Sequence, residues 1–254
     1  MKRYVMMLLC MALLFGIRGV RAEDMPLIEW ATRTPEPVAT IAPETGEITD
    51  SWEEIIAHID DGTAQQRYAI GAYKPLDLGA LGTISMQLAG FDLDTRADGT
   101  GKAPTTWIAK ECLPEGHRWN PLEKGTEGGW ANCELRSYLY DTALPAMPPS
   151  LKNRLVTIIK TQYYANNIGD EQQTEERVWV PDFNEIFGTG SLYYNLFLDN
   201  ANNRKKTKSG SAAWWWLRSA YYYDGGAYVV NIIGNSDGYG VYTTSGGVVL
   251  GFCL

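Results

Sequence analysis

Residues 212–220 read Ala-Ala-Trp-Trp-Trp-Leu-Arg-Ser-Ala, and residues 247–254 close the chain with Gly-Val-Val-Leu-Gly-Phe-Cys-Leu. Between them, residues 221–245 contain only Tyr, Asp, Gly, Ala, Val, Asn, Ile, Ser and Thr. Apolar segments rich in aromatic and β-branched residues, parted by glycine turns, read as strands. The spacing predicts a strand over the tryptophans, further strands at residues 228–233, 239–244 and 248–254, and hence a β-rich C-terminus. Nine of the thirty aromatic residues fall between Trp214 and Tyr242, where only Arg218, Asp224 and Asp237 are charged.

Upstream, the pattern changes. Residues 49–60 (TDSWEEIIAHID) predict a helix: Asp50 or Ser51 can cap it, Glu53 and Glu54 suit its first turn, and Trp52, Ile55, Ile56 and Ile59 share a face. Strands are predicted at residues 68–70, 74–78, 83–91 and 105–109; in the third, Ile84, Met86 and Leu88 alternate with Ser85 and Gln87. Residues 132–140 and 149–160 carry apolar positions at helical spacing. Pro181-Asp182 opens a short helical turn through Phe183, Ile186 and Phe187. Residues 200–210 (NANNRKKTKSG) read as a solvated polar loop, contact of its four cations with a polyanion being the alternative. Strands and helices in this order describe one mixed α+β domain over residues 48–254.

The N-terminus reads as an export signal. Lys2 and Arg3 precede a 13-residue apolar run over residues 5–17, and Val20 and Ala22 place small residues at the −3 and −1 positions of a cleavage site. The run is short for a membrane span; a short N-terminal anchor is the other reading. Residues 1–22 are therefore expected to be removed, and the prolines at 26, 35, 37 and 43 mark residues 23–47 as an extended linker. Cleavage takes away four cations and moves the net charge from −8 to −12. An acidic, secreted or cell-surface protein follows, with no nucleic-acid partner and no membrane span after cleavage.

Catalytic signatures are missing from the text. It holds no CxxC, HExxH, GxSxG, GxGxxG or phosphate-binding loop, and only two histidines, His58 and His117. No enzyme activity and no cofactor are expected. Residues 92–99 (DLDTRADG) bring Asp92, Asp94 and Asp98 close together, but Arg96 and the missing closing Glu break the calcium-loop pattern, so an ordinary turn is preferred. The mature chain keeps Cys112, Cys133 and Cys253: either one pair bridges, Cys112 with Cys133 being the candidate, or all three are buried thiols.

The frame WWLRS…GVxLGFC, here residues 215–219 and 247–253, resembles the ending of a secreted domain family of gut bacteria and their phages. SWEEII (residues 51–56), TWIAKE (106–111), GTEGGW (125–130) and VWVPDFNEIFG (178–188) match it as well. The resemblance implies a C-type-lectin-like fold, related to formylglycine-generating-enzyme-like domains, with two or three helices on a small, mainly antiparallel sheet. It also implies that the final strands and loops form a recognition surface. In a subset, diversity-generating retroelements rewrite that surface at AAY codons, which cannot yield Lys, Glu, Gln, Trp or Met. Residues 221–245 lack all five, so the chain is read as a candidate variable protein. The EPN, QPD and WND motifs of calcium-dependent sugar-binding lectins are absent, so that activity is not expected. Convergence of the three cysteines would favour an oxidase instead; a structural cell-surface or phage component is the third reading.

The reading assigns ligand contact to Tyr221, Tyr222, Tyr223, Asp224, Tyr228, Asn231, Asn235, Asp237, Tyr239 and Tyr242. Tyrosine offers a large, stiff surface with a polar tip, and Gly, Ser and Asn adapt around it. The ligand is an unidentified protein or glycan. Alternation over residues 227–233 places Tyr228, Val230 and Ile232 on one face, and Asn231 marks the other face as exposed, which would bury Tyr228. The three tryptophans read as scaffold, and Arg218 as an anchor for a buried carboxylate or backbone carbonyls.

Overall fold

Ser51 starts the first helix by two reciprocal hydrogen bonds. Its hydroxyl accepts from the Glu54 N–H at 3.2 Å, and the Glu54 carboxylate accepts from the Ser51 N–H at 2.7 Å. Helix α1 (Trp52–Asp60) then buries Trp52, Ile55 and Ile56, the face predicted for it. The Trp52 indole donates to the Pro75 carbonyl and meets Trp107 and Phe252 edge-on at 5.2 and 5.9 Å. Ser51→Ala is expected to cost about 1 kcal/mol, read as a lowered urea midpoint with an unchanged slope.

These elements belong to a computed structural model that describes residues 43–163, 171–188, 193–198, 201–221 and 225–254. The signal segment and residues 23–42 of the expected linker lie outside the described residues. Glu44 and Glu47 form parallel bridges to Tyr68 and Tyr73. No helix among the described residues is long and apolar enough to cross a membrane.

The fold is mixed α+β, built on small antiparallel sheets. One has the order β1-β2-β3-β11, from β1 (Tyr73–Asp77), β2 (Thr83–Phe91), β3 (Thr105–Ala109) and β11 (Gly251–Cys253). Every residue of β3 is buried, because β2 and β11 flank it. The chain's last strand thus pairs Phe252 with Trp107 and Cys253 with Thr106. Gly251 admits no side chain: a Cβ there would lie 2.8 Å from Ile108 and 3.0 Å from Trp179. A second sheet has the order β10-β9-β8, from β8 (Trp215–Ala220), β9 (Gly226–Val230) and β10 (Ser236–Gly240).

Several sequence expectations change, the strand expected at residues 239–244 among them: β10 ends at Gly240 and a turn follows. Residues 149–160 are not one helix: Pro149–Lys152 is a single helical turn, and β4 (Ile158–Tyr163) pairs antiparallel with β5 (Glu171–Glu176). Val156, Thr157, Ile158 and Ile159 are β-branched, and pairing with a partner strand overrides a helical spacing that was incidental. Residues 68–70 form no strand beyond the Tyr68 bridge. Residues 200–210 are not a plain loop. They contain the helical turn Ala201–Arg204 and most of a hairpin of β6 (Lys206–Lys208) and β7 (Ser211–Ala213). Ser209 and Gly210 take φ of 50° and 81°, the pattern of a two-residue hairpin turn of the primed kind.

Cys112, Cys133 and Cys253 are free and buried, in separate surroundings. Burial pushes the Cys112 and Cys133 thiols up to about 12 and Cys253 well above the ordinary range. All three are packed thiols rather than a bridge.

Candidate functional site

All of β8 is buried, and Arg218 sits on it between Leu217 and Ser219. A buried guanidinium needs acceptors, and this one finds them as the sequence suggests. It grips Glu185 in a two-pronged pair at 2.7 and 2.8 Å and donates to the Val180 carbonyl at 3.1 Å. Glu185 also accepts from Lys160 at 2.7 Å, and Lys160 donates to Asp94 at 2.5 Å and to the Tyr194 hydroxyl. Two cations and two carboxylates therefore neutralise one another inside the protein. Burial alone would raise the Glu185 carboxyl, but Arg218 and Lys160 outweigh it and hold it at about 2.

This network fixes a short helix. Asp182 caps α6 (Phe183–Phe187; the α-helices between it and α1 are Ala64–Arg67, Glu134–Tyr138, Leu144–Ala146 and Pro149–Lys152) by accepting from the Asn184 N–H at 2.8 Å. The Glu185 carboxylate reciprocates from the Asp182 N–H at 2.7 Å. Ser219 of β8 accepts from the Phe183 N–H at 2.9 Å and donates to Asp182. Held this way, α6 packs Phe183 against Tyr228 at 4.7 Å and against Phe187 at 5.2 Å. Tyr221 meets Tyr228 edge-on at 4.8 Å and covers Gly238, where any Cβ would fall 2.6 Å from its ring.

The sheet register divides the predicted contact residues. Gly238 pairs with Tyr228 and Tyr239 with Ala227, so Tyr228 and Tyr239 point to opposite faces. Tyr239 stacks flat on Trp214 at 4.5 Å, and Trp214 stands edge-on to Trp216 at 5.0 Å. Tyr239 is 40% exposed and Tyr242 53%, and in the β9–β10 turn Ile232 and Ile233 are 54% and 60% exposed. Tyr221 and Tyr228 are half-buried in the aromatic cluster with Phe183. Asp237 is exposed and accepts from the Gly238 N–H. Tyr222, Tyr223 and Asp224 lie outside the described residues.

Two site expectations are corrected. Val229 is buried and Tyr228 is the half-exposed side chain, the reverse of the assignment based on Asn231. The strand ends at Val230, and the side-chain amide oxygen of Asn231 (Oδ1) closes a turn by accepting from the N–H groups of Ile233 and Asn235 at 3.1 and 3.0 Å. Asn231 is polar because a turn needs it, so it carries no information about strand faces. Asn231 therefore shapes the β9–β10 turn, with Asn235 exposed at its end.

The acidic stretch at residues 92–99 does not converge either. Asp92 accepts from Gln65, Asp94 is buried on Lys160 and Thr106, and Asp98 takes Arg96 and Thr100. Among the described residues no group of three or more His, Cys, Asp or Glu side chains is placed to hold a metal ion.

Sequence reasoning missed Phe183 and Phe187 as part of the aromatic cluster, Glu185 as the partner of Arg218, and Lys160 and Asp94 as the rest of the ion network. The only textual signal was the capping pattern of Asp182 and Glu185, which marks a helix start rather than a partner. A cavity of about 260 Å³ adjoins this network, lined in part by Asp94, Lys160, Asp182, Asn184, Glu185 and Arg218. Arg218, Lys160, Asp94 and Glu185 there are paired with one another, and Arg218 Nε is a buried nitrogen without a hydrogen-bond partner among the described residues.

A family model described as a domain of unknown function (DUF6273) matches residues 105–254. That span begins at β3 and takes in Lys160, Glu185 and Arg218 of the ion network, though not Asp94, and every predicted contact residue. No curated protein and no solved structure matches the chain.

Proposed function

The chain belongs to the DUF6273 family, and we propose that this protein is a secreted or cell-surface recognition module without catalytic activity, presenting a tyrosine-rich C-terminal surface on a C-type-lectin-like core. The observation that carries the reading is the pairing of outward tyrosines with a fixed floor. Tyr239 and Tyr242 are exposed, while Trp215, Trp216 and Arg218 of β8, in the same sheet as Tyr239, are fully packed. A tyrosine already stacked on Trp214 loses little freedom when a ligand arrives, which is the economy of an antibody paratope. The ligand of this reading is a protein or glycan at a cell surface; the acidic net charge of −8 disfavours nucleic acid. The resemblance to retroelement-diversified proteins supports a variable surface, and a near-identical template repeat beside a reverse-transcriptase gene in the encoding DNA is its independent check.

The test compares wild type with Tyr239→Ala/Tyr242→Ala on a glycan microarray and, by flow cytometry, on cultured gut-bacterial cells. Wild-type binding that falls at least about tenfold in the variant supports the reading, provided the melting midpoint moves by no more than a few degrees. Equal binding by both proteins, or no binding by the wild type, overturns it.

A further inference from the structure

Arg204, Lys205, Lys206 and Lys208 crowd a stretch whose composition reads as solvated, yet the fold withdraws one of them from water. Lys206, the first residue of β6, is only 3% exposed. Its ammonium donates to the Ala109 carbonyl at 2.8 Å and stands 5.7 Å from the centre of the Phe197 ring. Among the described residues no carboxylate lies within ion-pair distance of it. An ammonium carries three donors, and a buried charge is tolerated when it is paired. Burial pushes Lys206 down to about 8, against the pull of Cys112 and Glu111.

A second cavity, of about 240 Å³, adjoins Lys206 and is lined also by Gln87, Lys110, Glu111, Asn203 and Lys205. Its described lining holds three lysines against one carboxylate, in a chain whose net charge is negative. That carboxylate is engaged elsewhere: Glu111 accepts from the Ser85 N–H at 2.5 Å. The cavity beside Arg218 offers a contrast, since Arg218 and Lys160 there already face Glu185 and Asp94. Here three ammonium groups face one carboxylate, and the asparagine and glutamine add neutral polar lining.

We propose that this cavity is an anion site that takes a small oxyanion, sulfate or phosphate, with Lys206 as its buried cation and Lys110 and Lys205 at its rim. The site is independent of the tyrosine surface, although the helical turn that supplies Asn203 also supports the β9–β10 turn, Arg204 donating to the Gly234 carbonyl at 3.0 Å. The same chemistry serves a free ion or an anionic group carried on a sugar.

Isothermal titration calorimetry with sodium sulfate, sodium phosphate and galactose 6-sulfate, at ionic strength held constant with sodium chloride, tests it. Constant ionic strength removes general screening, and calorimetry avoids the nonspecific stabilisation that sulfate gives any protein. The expected result is saturable binding by wild type, weakened at least about tenfold in Lys206→Met. Tighter binding of the sugar sulfate assigns the site to a glycan substituent; tighter binding of the free ions assigns it to those. No saturable binding, or equal binding by Lys206→Met (an adventitious ion only), overturns the proposal. Should Lys206→Met fail to fold, Lys110→Gln/Lys205→Gln decides, both residues being exposed: weaker binding supports the site and unchanged binding overturns it.

Discussion

Arg218→Met is expected to destabilise the protein by about 3–5 kcal/mol, because it strands Glu185 in the interior without its principal counter-charge. For a domain of this size the melting midpoint should fall by on the order of 10 °C. Lys160 would remain beside Glu185 at 2.7 Å, but Lys160 also serves Asp94, so one cation would face two carboxylates. Acid provides a second reading of the same interaction. The Glu185 carboxyl is held at about 2 in the folded protein against an ordinary value of 4.5. The unfolded chain therefore binds more protons between these values, and this stabilisation is complete above about pH 4.5 and lost as pH falls toward 2. The gap in stability between wild type and Arg218→Met should accordingly narrow below pH 4.5, since a protonated Glu185 no longer needs the guanidinium. Urea unfolding followed from pH 7 to pH 3 measures this; a gap that is small at pH 7, or constant with pH, would refute the role given to the pair.

Trp216→Ala should be comparably damaging, at about 3–5 kcal/mol. The indole is fully buried, donates to the His117 carbonyl at 2.7 Å and supports Trp214 edge-on. The space it fills is tightly contested: a Cβ placed on Gly246 would fall 1.9 Å from its nitrogen. Removing the ring leaves a cavity and an unpaired carbonyl, and the neighbouring backbone, tied by the Trp216 N–H to the Gly247 carbonyl at 3.0 Å, cannot collapse freely to fill it. Tyr239→Ala, by contrast, removes a stacked but 40% exposed ring and should cost only about 1 kcal/mol. Parallel urea titrations of the two variants separate framework aromatics from contact aromatics. Equal losses would mean that Tyr239 belongs to the core and that the proposed surface is misassigned.

The division between these aromatics was legible in the text because it rests on local composition. Tryptophans beside aliphatic residues read as packed, as Trp215 and Trp216 are, and tyrosines among Gly, Asn and Asp read as outward, which holds for Tyr239 and Tyr242 but not for the half-buried Tyr221. Arg218 was legible for a related reason: a lone cation inside an apolar strand must find an acceptor. Tyr228 was misread because Asn231 was taken for a strand residue, whereas it closes the turn that ends the strand. Residues 149–160 were misread because their apolar spacing fits a helix, and only the pairing of β4 with β5 selects the strand.

Ser51 with Glu54, Asp182 with Glu185, and the alternation of Ile84, Met86 and Leu88 are interactions between near neighbours, so the amino-acid order alone determines the helix starts and the strand they predict. The polar interior is of another kind. Lys160 meets Asp94 across 66 positions and Glu185 across 25, and Arg218 reaches Glu185 across 33. Lys206, one of four cations in a polar stretch, is stripped of water because the fold packs it beside the Ala109 carbonyl and the Phe197 ring. Burial and long-range charge pairing are properties of the assembled fold, since desolvation depends on which distant surfaces close over a group. Only the tertiary structure could choose which carboxylate answers Arg218 and which lysine is buried against a carbonyl.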